Sequence, residues 1–212
     1  LSREHVGDTP LVLIDRRLDD LKIPSVTTGD YQGAVSAVDH AIAKGHKSFA
    51  FIVAVPGINQ STFTRPHIPI STVVDRTNGF LEALKGRKVS QKMVFCEDSQ
   101  AGAEAAVEKL LTAEQRATVF LTSNNDMLLA LLRGAGKLGI AIGKDISVIS
   151  FDDSPWAAAM SPAITVVSRP VDQLGEAAVE ILLKQMSGAR SLSSVTLPTM
   201  LIERDSVFSV AD

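Results

Sequence analysis

Ala117-Thr118-Val119-Phe120-Leu121-Thr122-Ser123-Asn124-Asn125-Asp126-Met127 runs on through a helical stretch to Gly139. It resumes as Ile146-Ser147-Val148-Ile149-Ser150-Phe151-Asp152-Asp153, and this span decides the fold. Ala117–Thr122 and Ile146–Phe151 are short apolar runs, the signature of strands covered on both faces. Asn125–Leu138 between them reads as a helix, stopped by a glycine that tolerates the left-handed turn. A strand, a helix and a second strand in so short a span form a parallel β-α-β unit.

The same alternation extends outward in both directions. Leu11–Ile14 is an early strand, and Ser25–Thr28 is β-branched and extended. Ala34, Ala37, Val38, Ala41 and Ile42 recur at helical spacing within 33–44, before Gly45. Phe49–Val55 is a strand, followed by a Pro-, Gly-, Ser- and Thr-containing loop over 56–72. Further spans read as a helix over Arg76–Leu84, a strand over Lys92–Cys96 and a helix over Gln100–Thr112. Beyond the central unit come a strand over Ile164–Val167, an amphipathic helix over Val171–Met186 and a closing strand over Val195–Glu203. The expected class is α/β, with parallel sheets flanked by helices.

Bulk properties narrow the function. In 212 residues, 45% are apolar and the formal net charge is −3, so the composition supplies a core but no basic nucleic-acid surface. The single cysteine, Cys96, has no internal partner and suits a reducing compartment. No apolar run approaches the roughly 20 residues of a membrane span, and no signal-peptide pattern opens the chain. A cytoplasmic protein is the expectation.

In open α/β sheets, ligands bind beyond the carboxyl ends of the strands. Those ends are polar here: Asp15, the Asn124-Asn125-Asp126 run, Asp152-Asp153 and Arg169, with Arg76 on the helix after the long loop. Carboxylates accept from vicinal hydroxyls, amides donate and accept, and guanidinium forks donate in pairs, so these groups together suit a polyhydroxyl ligand. Asn124, Asn125 and Asp153 read equally well as helix N-caps. Asp152 and Asp153 leave a strand in succession and should point apart.

Catalytic patterns are weak. His5, His40, His46 and His67 lack metal-ligand spacing. There is no nucleophile elbow and no phosphate loop. Cys96 reads as a buried, inert thiol. No catalytic residue, metal or cofactor is expected.

Several blocks stand in order along the chain: Pro10–Arg16, Gly33–His40 with Lys44–Ile52, Arg76-Thr77-Asn78-Gly79-Phe80, Asn125-Asp126-Met127, Asp145–Asp153, Pro162–Val167 and Leu197–Ser206. Together they resemble the lactose/galactose-repressor (LacI/GalR) family of bacterial transcriptional regulators. The resemblance implies a type I periplasmic-binding-protein-like fold of two lobes, the first incomplete, with three crossovers. Its expected parts are 1–30 as a remnant of the first lobe and 31–166 as the second lobe. Residues 167–190 form the return segment and helix of the first lobe, and 191–212 form the closing strand of the second lobe and a tail. The DNA-binding headpiece is expected to be absent.

By motif position, the resemblance implies that Asp15, Arg76, Asn125, Asp152 and Arg169 face an effector, and that Met127, Ala130, Trp156 and Met160 lie at a homodimer face. Arg169 stands where many members carry glutamine or another polar residue, and a cation there is expected to favour an anionic or phosphorylated effector. Tyr31, Phe80 and Phe151 are candidates to stack on a sugar ring, each equally readable as core. The 56–74 segment is longer than usual and is expected to cover the cleft as a flap or to be mobile.

The reading that follows is a sensor of a small sugar, sugar phosphate or nucleobase-like effector, allosterically controlling operator binding through the headpiece. A solute-binding protein of a sugar transporter shares the architecture. An α/β enzyme using Asp15 or Asp152 as acid or base is the third reading, since fold alone does not set function.

Overall fold

The apolar runs become strands, and their two-residue period shows which core each side chain enters. The computed structural model describes residues 7, 9–18, 21–189 and 192–210. His5 and most of the polar start lie outside the described residues. The strands are β1 (Leu13–Ile14), β2 (Ser25–Thr28), β3 (Ser48–Ala54), β4 (Ser90–Cys96), β5 (Val119–Thr122), β6 (Ser147–Phe151), β7 (Thr165–Ser168), β8 (Val195–Leu197) and β9 (Met200–Ile202). The helices are α1 (Asp30–Ala43), α2 (Ser71–Leu84), α3 (Gln100–Leu111), α4 (Asn125–Lys137), α5 (Pro155–Ala159) and α6 (Val171–Met186).

Two sheets form. The smaller has the order β1-β2-β8, all parallel; the larger has the order β4-β3-β5-β6-β7-β9, parallel except that β9 runs antiparallel to β7. Along β3, Phe49, Phe51 and Val53 enter one core with α1 and α2, while Ala50, Ile52 and Ala54 enter another with α3 and α4. Both faces of the larger sheet are thus covered, which explains why its strands read as unbroken apolar runs rather than alternating ones. α6 packs on the smaller sheet, where Leu174, Ala178 and Ile181 meet Val26. Six of the eight phenylalanines are fully buried. Each contributes about 1.5–3 kcal/mol of transfer free energy, so they anchor the core.

Several boundaries differ from expectation. β1 keeps only two residues of the expected run. α1 starts at Asp30, three residues before the periodic stretch. α2 starts at Ser71 and absorbs the end of the long loop. The expected closing strand over Val195–Glu203 splits at Pro198, which lacks the N–H a ladder needs. Val195–Leu197 joins the smaller sheet and Met200–Ile202 the larger, so the segment over 191–212 contributes a strand to each sheet. At the crossing, Gly29 N–H donates to the Leu197 carbonyl at 2.8 Å and Thr199 Oγ1 donates to the Gly29 carbonyl at 3.1 Å.

The segment over 56–70 is tied to β4 at Phe95 and to the helices on either side. Thr62 and Phe95 exchange backbone hydrogen bonds of 2.9 and 2.8 Å, Lys109 donates to Ser61 Oγ at 2.7 Å, and Arg65 donates to Asn78 Oδ1 at 2.9 Å. Pairing an edge strand satisfies its open ladder. The segment expected as a flap or mobile loop is thus bridged to the carboxyl-terminal end of β4, whose first three residues stay exposed. Among the described residues, no helix is long and apolar enough to cross a membrane.

Candidate functional site

The chain passes between the two sheets at three places: after β2, after β7 and between β8 and β9. At this junction the carboxyl ends of strands from both sheets meet. Asp15 follows β1 and Asp152 follows β6, and both adopt left-handed backbone conformations, with φ of 61° and 71°. For a residue with a Cβ this conformation costs about 1–3 kcal/mol, which aspartate tolerates better than most. Each turn sends its carboxylate to one guanidinium. Arg169, just past β7, donates from Nε to Asp152 Oδ1 at 2.5 Å and from Nη1 to Asp15 Oδ1. The triad bridges the smaller sheet to the larger, and the Arg169 side chain is only 13% exposed against 37% for Asp15.

Arg76 forms the second charged element. It reaches from the middle of α2, donating from Nε to Asp30 Oδ1 at 2.5 Å and from Nη1 to the Ser123 carbonyl. Its guanidinium lies 4.4 Å from the centroid of the Phe151 ring. Asp30 is completely buried, and its other oxygen accepts from Thr28 Oγ1 at 2.6 Å. Asp30 is not among the candidates that the sequence singles out. The available signal was its place as a charged residue directly beyond a strand end, the criterion that found Asp15 and Asp152.

The two elements lie within electrostatic range of one another. Burial pushes the Asp15 carboxyl above its ordinary pKa; Arg169 and Arg76 pull it down, while Asp30 and Asp152 add to the rise. Burial opposes the Arg169 charge, but Asp152 and Asp15 outweigh it and raise its pKa above the usual guanidinium value. The hydrogen bonds themselves pair Arg169 with both carboxylates.

Asn125 occupies the third position. Asn124, not Asn125, caps α4, its Oδ1 accepting from Met127 N–H at 3.0 Å. Asn125 Oδ1 is buried with no hydrogen-bond partner among the described residues. An orphaned buried acceptor costs about 1–3 kcal/mol, and it stands two residues from the Ser123 carbonyl that holds Arg76. Asp153 points away from Asp152, as expected of successive residues. Its oxygens accept from Arg204 Nη1 and Nη2, both at 2.9 Å, and the hydrogen bond from Arg204 holds its carboxyl below the usual range.

The structure thus draws Asp15, Asp152 and Arg169 into direct contact, with Arg76 and Asp30 close by and Asn125 beside the Arg76 anchor. The stacking candidates resolve as follows. Phe80 packs in the core 5.1 Å from Phe51, and Phe151 is buried with Arg76 over its face. Tyr31 lines a shallow surface groove with Asn78 and Glu82.

Two of the expected dimer-face residues need correction. Met127 is fully buried and Ala130 only 4% exposed, because the α4 stripe that carries them faces the sheet. The outward apolar residue of α4 is Leu129, and Trp156 is likewise exposed. Met160 is half-buried.

Cys96 lies in the core beside the Met127 sulfur at 3.4 Å, and burial pushes its pKa up to about 12. The thiolate is the reactive form. The folded chain should therefore give no reaction with a thiol reagent at pH 8, and the chain unfolded in denaturant should give one equivalent. A full titre from the native chain would contradict the buried placement.

Residues 38–207 match the family model described as a periplasmic binding protein-like domain. The chain is 32% identical over 184 residues to a protein of Rhizobium rhizogenes named "Probable opine utilization operon repressor", covering 84% of this chain and 90% of that one. It is 29% identical over 202 residues to a "Probable HTH-type transcriptional repressor" of Bacillus subtilis, covering 93% of this chain and 57% of the relative. The chain spans little more than half the length of that relative and of several others. Among solved structures, it is similar to a LacI family transcriptional regulator from Enterococcus faecalis with bound ribose. The TM-score is 0.82 and the identity 26%, over 99% of this chain and 75% of the other.

Proposed function

The chain belongs to the periplasmic binding protein-like domain family, and from that premise we propose that it is the effector-sensing part of a LacI/GalR-type transcriptional repressor that binds a small sugar between its two sheets. The kinship expected from the ordered sequence blocks is borne out by the named repressors among its relatives. One observation carries the site assignment: Asp15 from the smaller sheet and Asp152 from the larger converge on Arg169. A ligand that touches both sides of such a junction binds one relative arrangement of the sheets better than another. That differential affinity shifts a population and couples the site to a distant one.

In this reading each sheet, with its helices, is a lobe. Operator contact belongs to an N-terminal headpiece outside these residues, and the protein works in the cytoplasm. Two copies join through the face that exposes Leu129 and Trp156, placing paired DNA-reading segments on two half-sites. The names of the relatives support a repressor over a transporter's solute-binding protein.

Calorimetry with D-ribose, D-galactose and related sugars tests the proposal. Saturable binding is expected for at least one of them. Asn125→Ala should weaken it about tenfold by removing one buried hydrogen bond to the ligand. Absence of binding across the panel at millimolar sugar, in a chain that melts cooperatively, would sink the reading.

A further inference from the structure

We infer that the Asp15–Arg169–Asp152 triad makes this site selective for uncharged polyhydroxyl ligands and excludes anionic ones such as sugar acids and sugar phosphates. The inference rests on the proposed sugar site and deepens it by naming the ligand's charge class.

A lone arginine at a strand end would be expected to grip an anion through its fork. Here that fork is in use. Arg169 Nε serves Asp152 and Nη1 serves Asp15, while Arg76 is held by Asp30 and the Ser123 carbonyl. Neither guanidinium is a free cation. In this cluster the carboxylates Asp15, Asp30 and Asp152 outnumber the two guanidiniums by one. An incoming carboxylate or phosphate either takes the remaining Nη2 of Arg169, beside Asp15 and Asp152, or displaces one of those aspartates from the guanidinium. Either way the new anion lies beside the Asp15 and Asp152 carboxylates in a partly buried site, where like charges are costly.

The atoms left open favour the opposite chemistry. Among the described residues, Asp15 Oδ2 and Asp152 Oδ2 have no hydrogen-bond donor, and Asn125 Oδ1 is buried without one. Open acceptors on the two aspartates that meet at Arg169 call for a ligand that presents several donors without a negative charge, as vicinal hydroxyls do. The Nη2 group of Arg169 likewise has no partner among the described residues, which leaves a donor for a ring or hydroxyl oxygen.

The test is calorimetry on the full chain at low salt with matched pairs: D-ribose against ribose 5-phosphate, and D-galactose against galacturonate. The neutral member of any pair that binds should bind at least about tenfold more tightly, the scale set by one charge-assisted hydrogen bond. Asp15→Asn removes a charge and loosens the hold on Arg169, so it should shrink that preference by about tenfold. Asp152→Asn, on the other side of the junction, should do the same and guards against a folding defect in the first variant. Equal or tighter binding of the anionic member by the unaltered chain overturns the inference while leaving the sugar-sensor reading intact. So does an unchanged preference in both variants. If neither member of any pair binds, both the inference and the reading beneath it fail.

Discussion

Replacing Asp30 with alanine should lower the stability of the chain by about 3–5 kcal/mol, because it strands the Arg76 guanidinium in the interior without its counter-charge. Arg76 is 5% exposed and Asp30 completely buried, so water offers little replacement. For a chain of this size, a loss of that order corresponds to a fall in Tm of roughly 10 °C. Urea denaturation of the unaltered and Asp30→Ala chains would measure it. Asp30→Asn keeps an acceptor for Thr28 Oγ1 but not the charge, and should recover only part of the loss. The double variant with Arg76→Met should be markedly less unstable than the two single losses added together, since removing both partners leaves no orphan charge. A loss below about 1 kcal/mol for Asp30→Ala, the value typical of an exposed ion pair, would refute the buried-pair description.

Gly79→Ala should also be strongly destabilising, by about 1–3 kcal/mol or more. A methyl group at that position would lie 2.2 Å from the Tyr31 carbonyl oxygen and 2.9 Å from Ala34 Cβ, where α1 and α2 touch. Backbone cannot rotate aside as a side chain can, so the helices must separate and loosen the core that Phe80 anchors. Gly136→Ala on α4 is the control: nothing lies within 4 Å of its added methyl. It should be neutral or stabilising, by about 0.5–1 kcal/mol from helix propensity. Thermal melts of the two variants side by side should separate them clearly. Similar stability in both would mean that α1 and α2 do not approach as closely as described.

The Arg76–Asp30 pair and Gly79 illustrate two degrees of legibility. Asp15 was readable as a candidate because a charged residue beyond a strand end stands out against an apolar run, and Arg76 because it follows the long loop in the Arg76–Phe80 block. The same criterion reaches Asp30, two residues beyond Thr28, but nothing local marks it as a buried ion-pair partner rather than a solvated helix start. Burial, which separates those roles, is not a local property. Met127 and Ala130 show the same ambiguity on a helix. Motif position put them outward, whereas the direction of the α4 stripe turns them into the core and leaves Leu129 exposed. The helix cap presents a third case. Asn124 and Asn125 are the same residue type in succession, and only the backbone decides which one binds Met127 N–H and which is left with an unpartnered oxygen.

Hydrophobic period and punctuation by themselves determined the elements, their alternation and the parallel α/β class. Those signals arise between residues a few positions apart, through strand pleat, helical turn and glycine stops. The assignment of strands to sheets was not determined that way. Nothing local separates Val195–Leu197 from Met200–Ile202 except Pro198, and the two strands end in different sheets because each is completed by a partner far away in the chain. The chemistry of the junction was likewise decided only in three dimensions. Arg169 reads as a free cation until Asp15, 154 positions earlier, and Asp152 close in on it. Charge is a property of a neighbourhood in space, and folding alone builds that neighbourhood.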